Sequence, residues 1–246
     1  DILLENGYRN YFMCGSDIAF AGREDYFQQH GDYTLIDLNT AREVGIVPSN
    51  YDNDFWGMED EKLFVFAKDK LSEISAAGTP FNFTLLTVDT HRPDGYICSS
   101  CEEQYEEQYA NALACSSRQT ADFLAWMQEQ DWYEDTTVII VGDHLSMKKD
   151  FWDDIGDYER DIYNCFINLP DSLSDARTTN RVFTALDLFP SVLAAIDVEI
   201  EGERLGLGVN LFSEEETVPE KMGIEEFNYE LGLYSAYYFR HFIAGK

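Results

Sequence analysis

The sequence predicts an α/β fold with a mainly parallel sheet and helices on both faces. Three observations carry this: apolar runs such as "TTVIIVGDHLSM" (136–147) and "PFNFTLLTVDTHRPDG" (80–95) that end on polar residues, helical periodicity between such runs, and glycine or proline at the joints. Runs of that type read as buried strands of a parallel sheet, and their alternation with helices covers both faces. No internal repeat and no linker rich in Pro, Gly or Ser interrupts the chain, so one domain, or most of one, is expected over 1–246.

The chain opens on a helix end, "ILLENGY", with Gly7 as its stop, and passes into the strand "RNYFMCGSD". "YTLIDL" (33–38) reads as a short second strand. A polar, aromatic loop, "NYDNDFWGMED" (50–60), leads into a helix on which Leu63, Phe66, Ala67, Leu71 and Ile74 recur at helical spacing as core contacts. The third strand ends in Asp89, Thr90 and His91, with Pro93 and Gly95 as breakers. A long helix is predicted from Glu102 to about Gln130, with Tyr105, Tyr109, Ala112, Leu113, Phe123, Leu124 and Met127 on one stripe. Beyond the fourth strand and a charged loop come the strand "YNCFINLP" (163–170) and a helix over 181–196, bent or interrupted at Pro190.

With 45% hydrophobic and 15% aromatic residues, the chain has material for a core. Its 17 basic and 47 acidic residues give a formal charge of −30, which argues against nucleic-acid binding and against direct attraction to anionic membranes. Most of the carboxylates read as a solvated face. The chain lacks an 18-residue apolar stretch and a signal-peptide pattern, so it is expected to be soluble as given. It begins without methionine inside a predicted helix, which suggests a piece of a longer protein.

Five cysteines are an odd number, so at least one is unpaired within the chain. Cys98 and Cys101 form "CSSC", which is open to three readings: a small surface disulfide, half of a zinc site, or a redox pair. Without a second CxxC motif a four-cysteine zinc site is disfavoured, and a local disulfide or two idle thiols is the better reading.

Candidate chemistry lies at three strand ends: Gly15 to Arg23 after the first, His91 after the third, and Asp143-His144 after the fourth. In a parallel sheet such ends share one edge, where residues distant in sequence converge on a cleft. His30 and His241 read as structural, and Trp56, Trp126, Trp132 and Trp152 as packing, although Trp56 in its aromatic loop could line a cleft.

The motifs "GSDIAFAGREDYF", "TVDTHRPDG" and "GDH", followed by "NRVFTALDLFPSVLAAIDVEIEGERLGLGVNLFS", occur in an order that resembles the sulfatase-like phosphoglycerol transferases of the alkaline phosphatase superfamily. That family includes lipoteichoic acid synthases and the enzymes that decorate periplasmic glucans. The resemblance extends over roughly 1–213. It implies that Asp143 and His144 help to bind a divalent cation, manganese in many members, with magnesium or zinc also compatible with these donors. It further implies that Arg23 binds phosphate through its planar fork, and that His91 sits beside the glycerophosphate with substrate-binding and catalytic roles. Many relatives carry tryptophan two residues before the arginine, where this chain has Ala21, and relatives can have histidine where Cys14 stands.

The resemblance also implies an alkaline phosphatase/sulfatase-like domain that is N-terminally incomplete, 1–246 being its C-terminal major part. The threonine nucleophile and a further metal-binding glutamate would precede Asp1, so the chain is not expected to turn over alone. The implied reaction of the intact domain moves glycerophosphate from phosphatidylglycerol to a hydroxyl acceptor on lipoteichoic acid or a glycan. The implied setting is the extracellular face of the membrane, reached through preceding transmembrane helices; such a setting would permit a Cys98–Cys101 disulfide. Two other readings stay open: a sulfatase- or phosphatase-type hydrolase of the same fold, and a noncatalytic domain that binds glycerophosphate polymer or a partner.

Overall fold

A four-residue helix, α1 (Ile2–Glu5), leads into β1 (Arg9–Cys14), the middle strand of a three-stranded parallel sheet ordered β2-β1-β3. The computed structural model describes residues 1–148, 150–156, 158–174, 176 and 179–244. The chain divides into two compact units, 1–133 with 144–161 and 134–143 with 162–246.

In the first unit β1 pairs in register with β2 (Thr34–Ile36), Tyr11 opposite Thr34, and with β3 (Phe81–Leu86), Arg9 opposite Phe81. The pleat sends alternate β1 side chains to opposite faces. Met13, with Tyr11 beside it, joins Leu63, Phe66 and Ala67 of α4 (Asp60–Ala76) in the larger core, and Phe12 and Cys14 pack with Phe27 of α2 (Arg23–Gln29). Helices therefore cover both faces of this sheet. Burying a side chain such as Leu63 or Phe66 contributes about 1.5–3 kcal/mol, so these contacts fix which face each helix takes.

In this unit several elements differ in extent from the sequence expectation: the third strand stops at Leu86, short of Asp89. "YTLIDL" is strand only to Ile36, because Asp37 leaves the sheet to cap α3 (Leu38–Glu43) in a capping box with Thr40. Helix α5 (Gln108–Gln128) starts later than predicted. The Asn111 side chain holds the preceding turn in another conformation, accepting from the amides of Gln104 (2.7 Å) and Tyr105 (2.8 Å) and donating to the Tyr105 carbonyl (2.8 Å). A disulfide between Cys101 and Cys115 ties this turn to α5, so neither alternative left open for the CSSC pair, a local bridge or two idle thiols, describes it: Cys101 is bridged and Cys98 is a free thiol.

In the second unit β4 (Val138–Val141) pairs antiparallel with β5 (Asn164–Ile167), Val138 opposite Ile167. The sequence predicted a buried parallel strand here, whereas β4 is half-buried, with Val141 exposed. Parallel neighbours need a crossover, usually helical, and among the described residues 144–161 carry only a short 3-10 stretch. Helix α6 (Ala185–Ala195) begins at a Thr184–Asp187 capping box and contains Pro190, which cannot donate to the Leu186 carbonyl. Gly208 packs against that carbonyl so closely that a Cβ there would lie 2.0 Å from it. Gly208 belongs to β7 (Gly208–Val209), which pairs antiparallel with β6 (Arg204–Leu205); α7 (Val218–Met222) and α8 (Ile224–Leu231) follow. Among the described residues no helix is long and apolar enough to cross a membrane.

Candidate functional site

The parallel strands of the first unit end along one edge, and the loops there are held from several sides. After β1, the Gly15 carbonyl accepts from the Met58 amide (2.7 Å). Gly57 lies so close that a Cβ on it would sit 2.3 Å from the same carbonyl, and its φ of 147° also disfavours any other residue. From the β2 side, the Asp37 carboxylate accepts from the Ile18 amide (3.1 Å). Two anchors thus fix the 15–22 loop, and the first of them lays the 50–60 loop across the end of β1, delivering Trp56 to the edge.

Arg23 is the first residue of α2. Its Nη2 donates to Ser16 Oγ and the Asp17 carbonyl, both at 2.8 Å, and its Nε to the Phe20 carbonyl (3.1 Å). The guanidinium carbon lies 5.5 Å from the Phe20 ring centroid. Among the described residues no carboxylate pairs with Arg23 and Nη1 has no protein acceptor, although acidic residues outnumber basic ones 47 to 17. The preceding Ala21, at φ 58°, and Gly22, at φ 73°, turn the chain so that the arginine folds back on its own loop. Burial pushes the Cys14 thiol pKa up and keeps the sulfur neutral, even though Arg23 acts in the opposite direction.

His91 lies beyond β3, half-buried, with its ring 4.2 Å from that of Trp56. Its Nδ1 meets the Arg92 carbonyl at 2.9 Å; a carbonyl only accepts, so the proton is on Nδ1 and the lone pair on Nε2. Trp56 donates Nε1–H to the same carbonyl (3.2 Å), stands 5.9 Å from the Phe20 ring and keeps 41% of its surface exposed. Arg23, Phe20, Trp56 and His91 therefore form one continuous row, cationic at one end and basic at the other, with an exposed aromatic shelf between.

Behind that row is a buried acidic pair. Asp60, fully buried in the first turn of α4, accepts from the amides of Val88 (2.7 Å) and Asp89 (3.1 Å), which fixes the turn leading to His91. Asp89 is 2% exposed, and its carboxylate oxygens have no protein partner among the described residues. Burial, and then repulsion from Asp60, pushes the Asp89 pKa up to about 7; burial pushes Asp60 to about 6 against its two amide donors.

Asp143 and His144 follow β4 and are exposed. The boundary between the compact units falls between them, Asp143 in the second and His144 in the first. His144 Nδ1 faces the Leu145 carbonyl (2.8 Å), which places a proton on Nδ1. Carboxylate and imidazole are donor types that suit manganese, magnesium or zinc. Among the described residues, Cys98, Cys101 and Cys115 also lie close together, but Cys101 and Cys115 are joined in a disulfide and offer no thiolate to a metal. The chain after His144 is fastened within the first unit: Ser146 Oγ meets the phenol oxygen of Tyr109 at 2.7 Å, and Lys148 pairs with Asp94.

Of the predicted residues, the structure thus joins Arg23 to His91 through Phe20 and Trp56. Ser16, Phe20, Asp60 and Asp89 complete the edge and were not singled out by sequence as site residues. Asp60 had a local signal, an acidic residue that ends the predicted 50–60 loop just before a helix, whereas its bonds to residues 28 and 29 positions later have none.

The family model described as Sulfatase matches residues 1–198. The chain belongs to the sulfatase family. Phosphoglycerol transferase I of Salmonella choleraesuis (strain SC-B67) is 32% identical over 219 residues, covering 87% of this chain and 28% of that protein. The chain therefore spans little more than a quarter of that relative. Two solved structures share the fold: an alkaline phosphatase superfamily protein from Vibrio parahaemolyticus (TM-score 0.59, 23% identity, 80% of this chain and 47% of that one) and the lipoteichoic acid synthase LtaP from Listeria monocytogenes (TM-score 0.60, 16% identity, 86% and 55%). The α/β sulfatase-family chain is thus similar in sequence to phosphoglycerol transferases and in fold to alkaline phosphatase superfamily structures.

Proposed function

We propose that the chain is the C-terminal major part of a metal-dependent phosphoglycerol transferase domain, which moves glycerophosphate from phosphatidylglycerol to a hydroxyl of a glycan or of lipoteichoic acid. The observation that carries this reading is Arg23: a guanidinium without a carboxylate partner among the described residues, in a chain of charge −30, set at the end of an exposed aromatic shelf that leads to a histidine. Such a cation suits an anionic ligand from outside, and its planar fork suits a phosphate.

In this mechanism Arg23 holds the phosphoryl oxygens and balances the charge that grows on them as the phosphoester exchanges partners. His91 keeps its proton at Nδ1 on the Arg92 carbonyl, so Nε2 is the nitrogen that accepts a proton from the acceptor hydroxyl or returns one to the leaving oxygen. Phe20 and Trp56 shield the flank of the reacting group from water. Asp143 and His144 would hold a divalent cation, which when bound supplies positive charge to the phosphoryl oxygens and activates the nucleophile. The nucleophile itself, a threonine, is assigned to sequence preceding Asp1, and by this reading the chain alone does not turn over. We place the intact protein at the extracytoplasmic face of the membrane, anchored through preceding helices.

The match to a family described as Sulfatase also favours a second reading, in which water takes the place of the acceptor hydroxyl. Incubating the longer parent protein with phosphatidylglycerol and a polyol acceptor distinguishes the two. Glycerophosphate attached to the acceptor supports transfer; free glycerophosphate at the same rate with and without acceptor replaces it with hydrolysis.

A further inference from the structure

The "CSSC" turn lies outside the row of Arg23 and His91, and the phosphoryl chemistry leaves it without a role. Three sulfurs meet there. Cys101 is bonded to Cys115 on α5, and the Cys98 sulfur, buried and unbonded, stands 3.3 Å from Cys101 Sγ. Gln119, one turn along α5 from Cys115, directs its Nε2 to Cys98 Sγ (3.1 Å) and to Cys115 Sγ (3.4 Å). Ser100 Oγ also contacts Cys98 Sγ at 3.1 Å.

We propose that Cys98, Cys101 and Cys115 form an internal thiol–disulfide exchange site. The Cys98 thiolate attacks Cys101 Sγ, the Cys98–Cys101 bond forms, the Cys101–Cys115 bond breaks, and Cys115 leaves as the thiolate that takes up the proton lost by Cys98. Electrons and atoms balance without an outside oxidant or reductant. Cys98 is buried but already touches its electrophile; the three sulfurs lie within 4.8 Å of one another, so a side-chain rotation of Cys98 or Cys115 brings the attack into line. In such an exchange negative charge moves from the attacking to the leaving sulfur, and these are the two sulfurs that the Gln119 amide faces. A single donor therefore serves both ends of the reaction.

The backbone turn brings the alternative partners together. The Cys101 amide donates to the Cys98 carbonyl (3.2 Å), closing a turn of the kind that brings its end Cα atoms within about 7 Å, and disulfides span Cα separations of about 4.4–6.8 Å. Exchange replaces a tether between residues 14 apart, which clamps the turn to α5, by one between residues three apart that lies within the turn. The site is thus a switch for the attachment of the 96–107 segment to α5.

The test uses the full chain, purified without reductant and incubated in its folded state with an alkylating maleimide at mildly alkaline pH, followed by peptide mapping. Each alkylation traps one partner of the exchange. The expected result is label on both Cys98 and Cys115, with Cys101 bridged to whichever is unlabelled. Cys98→Ser should reduce Cys115 labelling at least tenfold, and Gln119→Leu should slow Cys115 labelling several-fold while Cys165 labelling keeps its rate. Label on Cys98 alone, or on neither, overturns the proposal. Cys115→Ser treated with oxidised glutathione should form the Cys98–Cys101 bridge; two thiols persisting there would also overturn it.

Discussion

The Trp56 indole and the His91 imidazole pack with ring centroids 4.2 Å apart, and both rings hydrogen-bond the Arg92 carbonyl. One backbone oxygen therefore orients the aromatic shelf and sets the tautomer of the histidine. Trp56→Ala removes an aromatic contact worth about 0.5–1.5 kcal/mol and one of the two donors to that oxygen. The expected result is a roughly tenfold weaker affinity for glycerol phosphate, with the His91 ring protons shifted in the NMR spectrum of the unliganded chain. An unmoved His91 resonance would contradict this contact.

Asp89 gives a signed pH dependence. Its folded-state pKa, about 7, lies above the value of an exposed carboxyl, so the folded chain binds the proton more tightly than the unfolded one. Stability is unaffected while both states are protonated, below about pH 4, and falls as pH rises through 7. Asp89→Asn should remove most of this loss and raise stability at pH 8 by on the order of 1–2 kcal/mol, read as a higher midpoint in urea. Asp60→Asn should not, because an amide cannot accept from both the Val88 and Asp89 amides as the carboxylate does.

The second unit depends on Arg181. It is 5% exposed at its side chain, forks onto both oxygens of Glu220 at 2.9 Å and donates to the carbonyls of Leu211, Ser213 and Glu215. Its hydrogen bonds hold the Glu220 carboxyl down at about 2. That contribution is present above the ordinary carboxylate range and is lost as pH falls toward 2. Arg181→Ala should cost about 3–5 kcal/mol by thermal or chemical denaturation, since it strands a largely buried carboxylate. A loss under about 1 kcal/mol would contradict the assignment.

The proposed cation-binding role of Asp143 and His144 yields its own expectation. In the intact protein proposed above, Asp143→Ala and His144→Ala should each weaken manganese binding at least tenfold, measured by the free-ion electron paramagnetic resonance signal. Unchanged affinity in both variants would remove these residues from the ligand set.

Much of this architecture could be read from the sequence because its signals are local. Leu63, Phe66, Ala67 and Leu71 repeat at helical spacing and are buried on α4; the end of β1 was marked by the polar residues that follow it, whereas β3 stops at Leu86, before the Asp89 that the sequence took as its end. The orientation of β4 was not legible, since a short apolar run is the same whether its partner is parallel or antiparallel and only the intervening chain decides. Nor was the disulfide, because the spacing of "CSSC" favours a local bridge while the placement of α5 favours Cys115. The shelf of Phe20 and Trp56 depended on close passage of Gly57 against Gly15, a contact between loops that no periodicity encodes.

The most direct measurement is calorimetric titration of glycerol phosphate into the folded chain and its Arg23→Ala variant, with glycerol as the uncharged control. The predicted result is one saturable site for the phosphate ester, none for glycerol, and an affinity reduced about 10- to 100-fold by the substitution, equivalent to roughly 1.4–2.7 kcal/mol. Equal affinity in both proteins would contradict the assignment of Arg23 as the phosphate-binding cation.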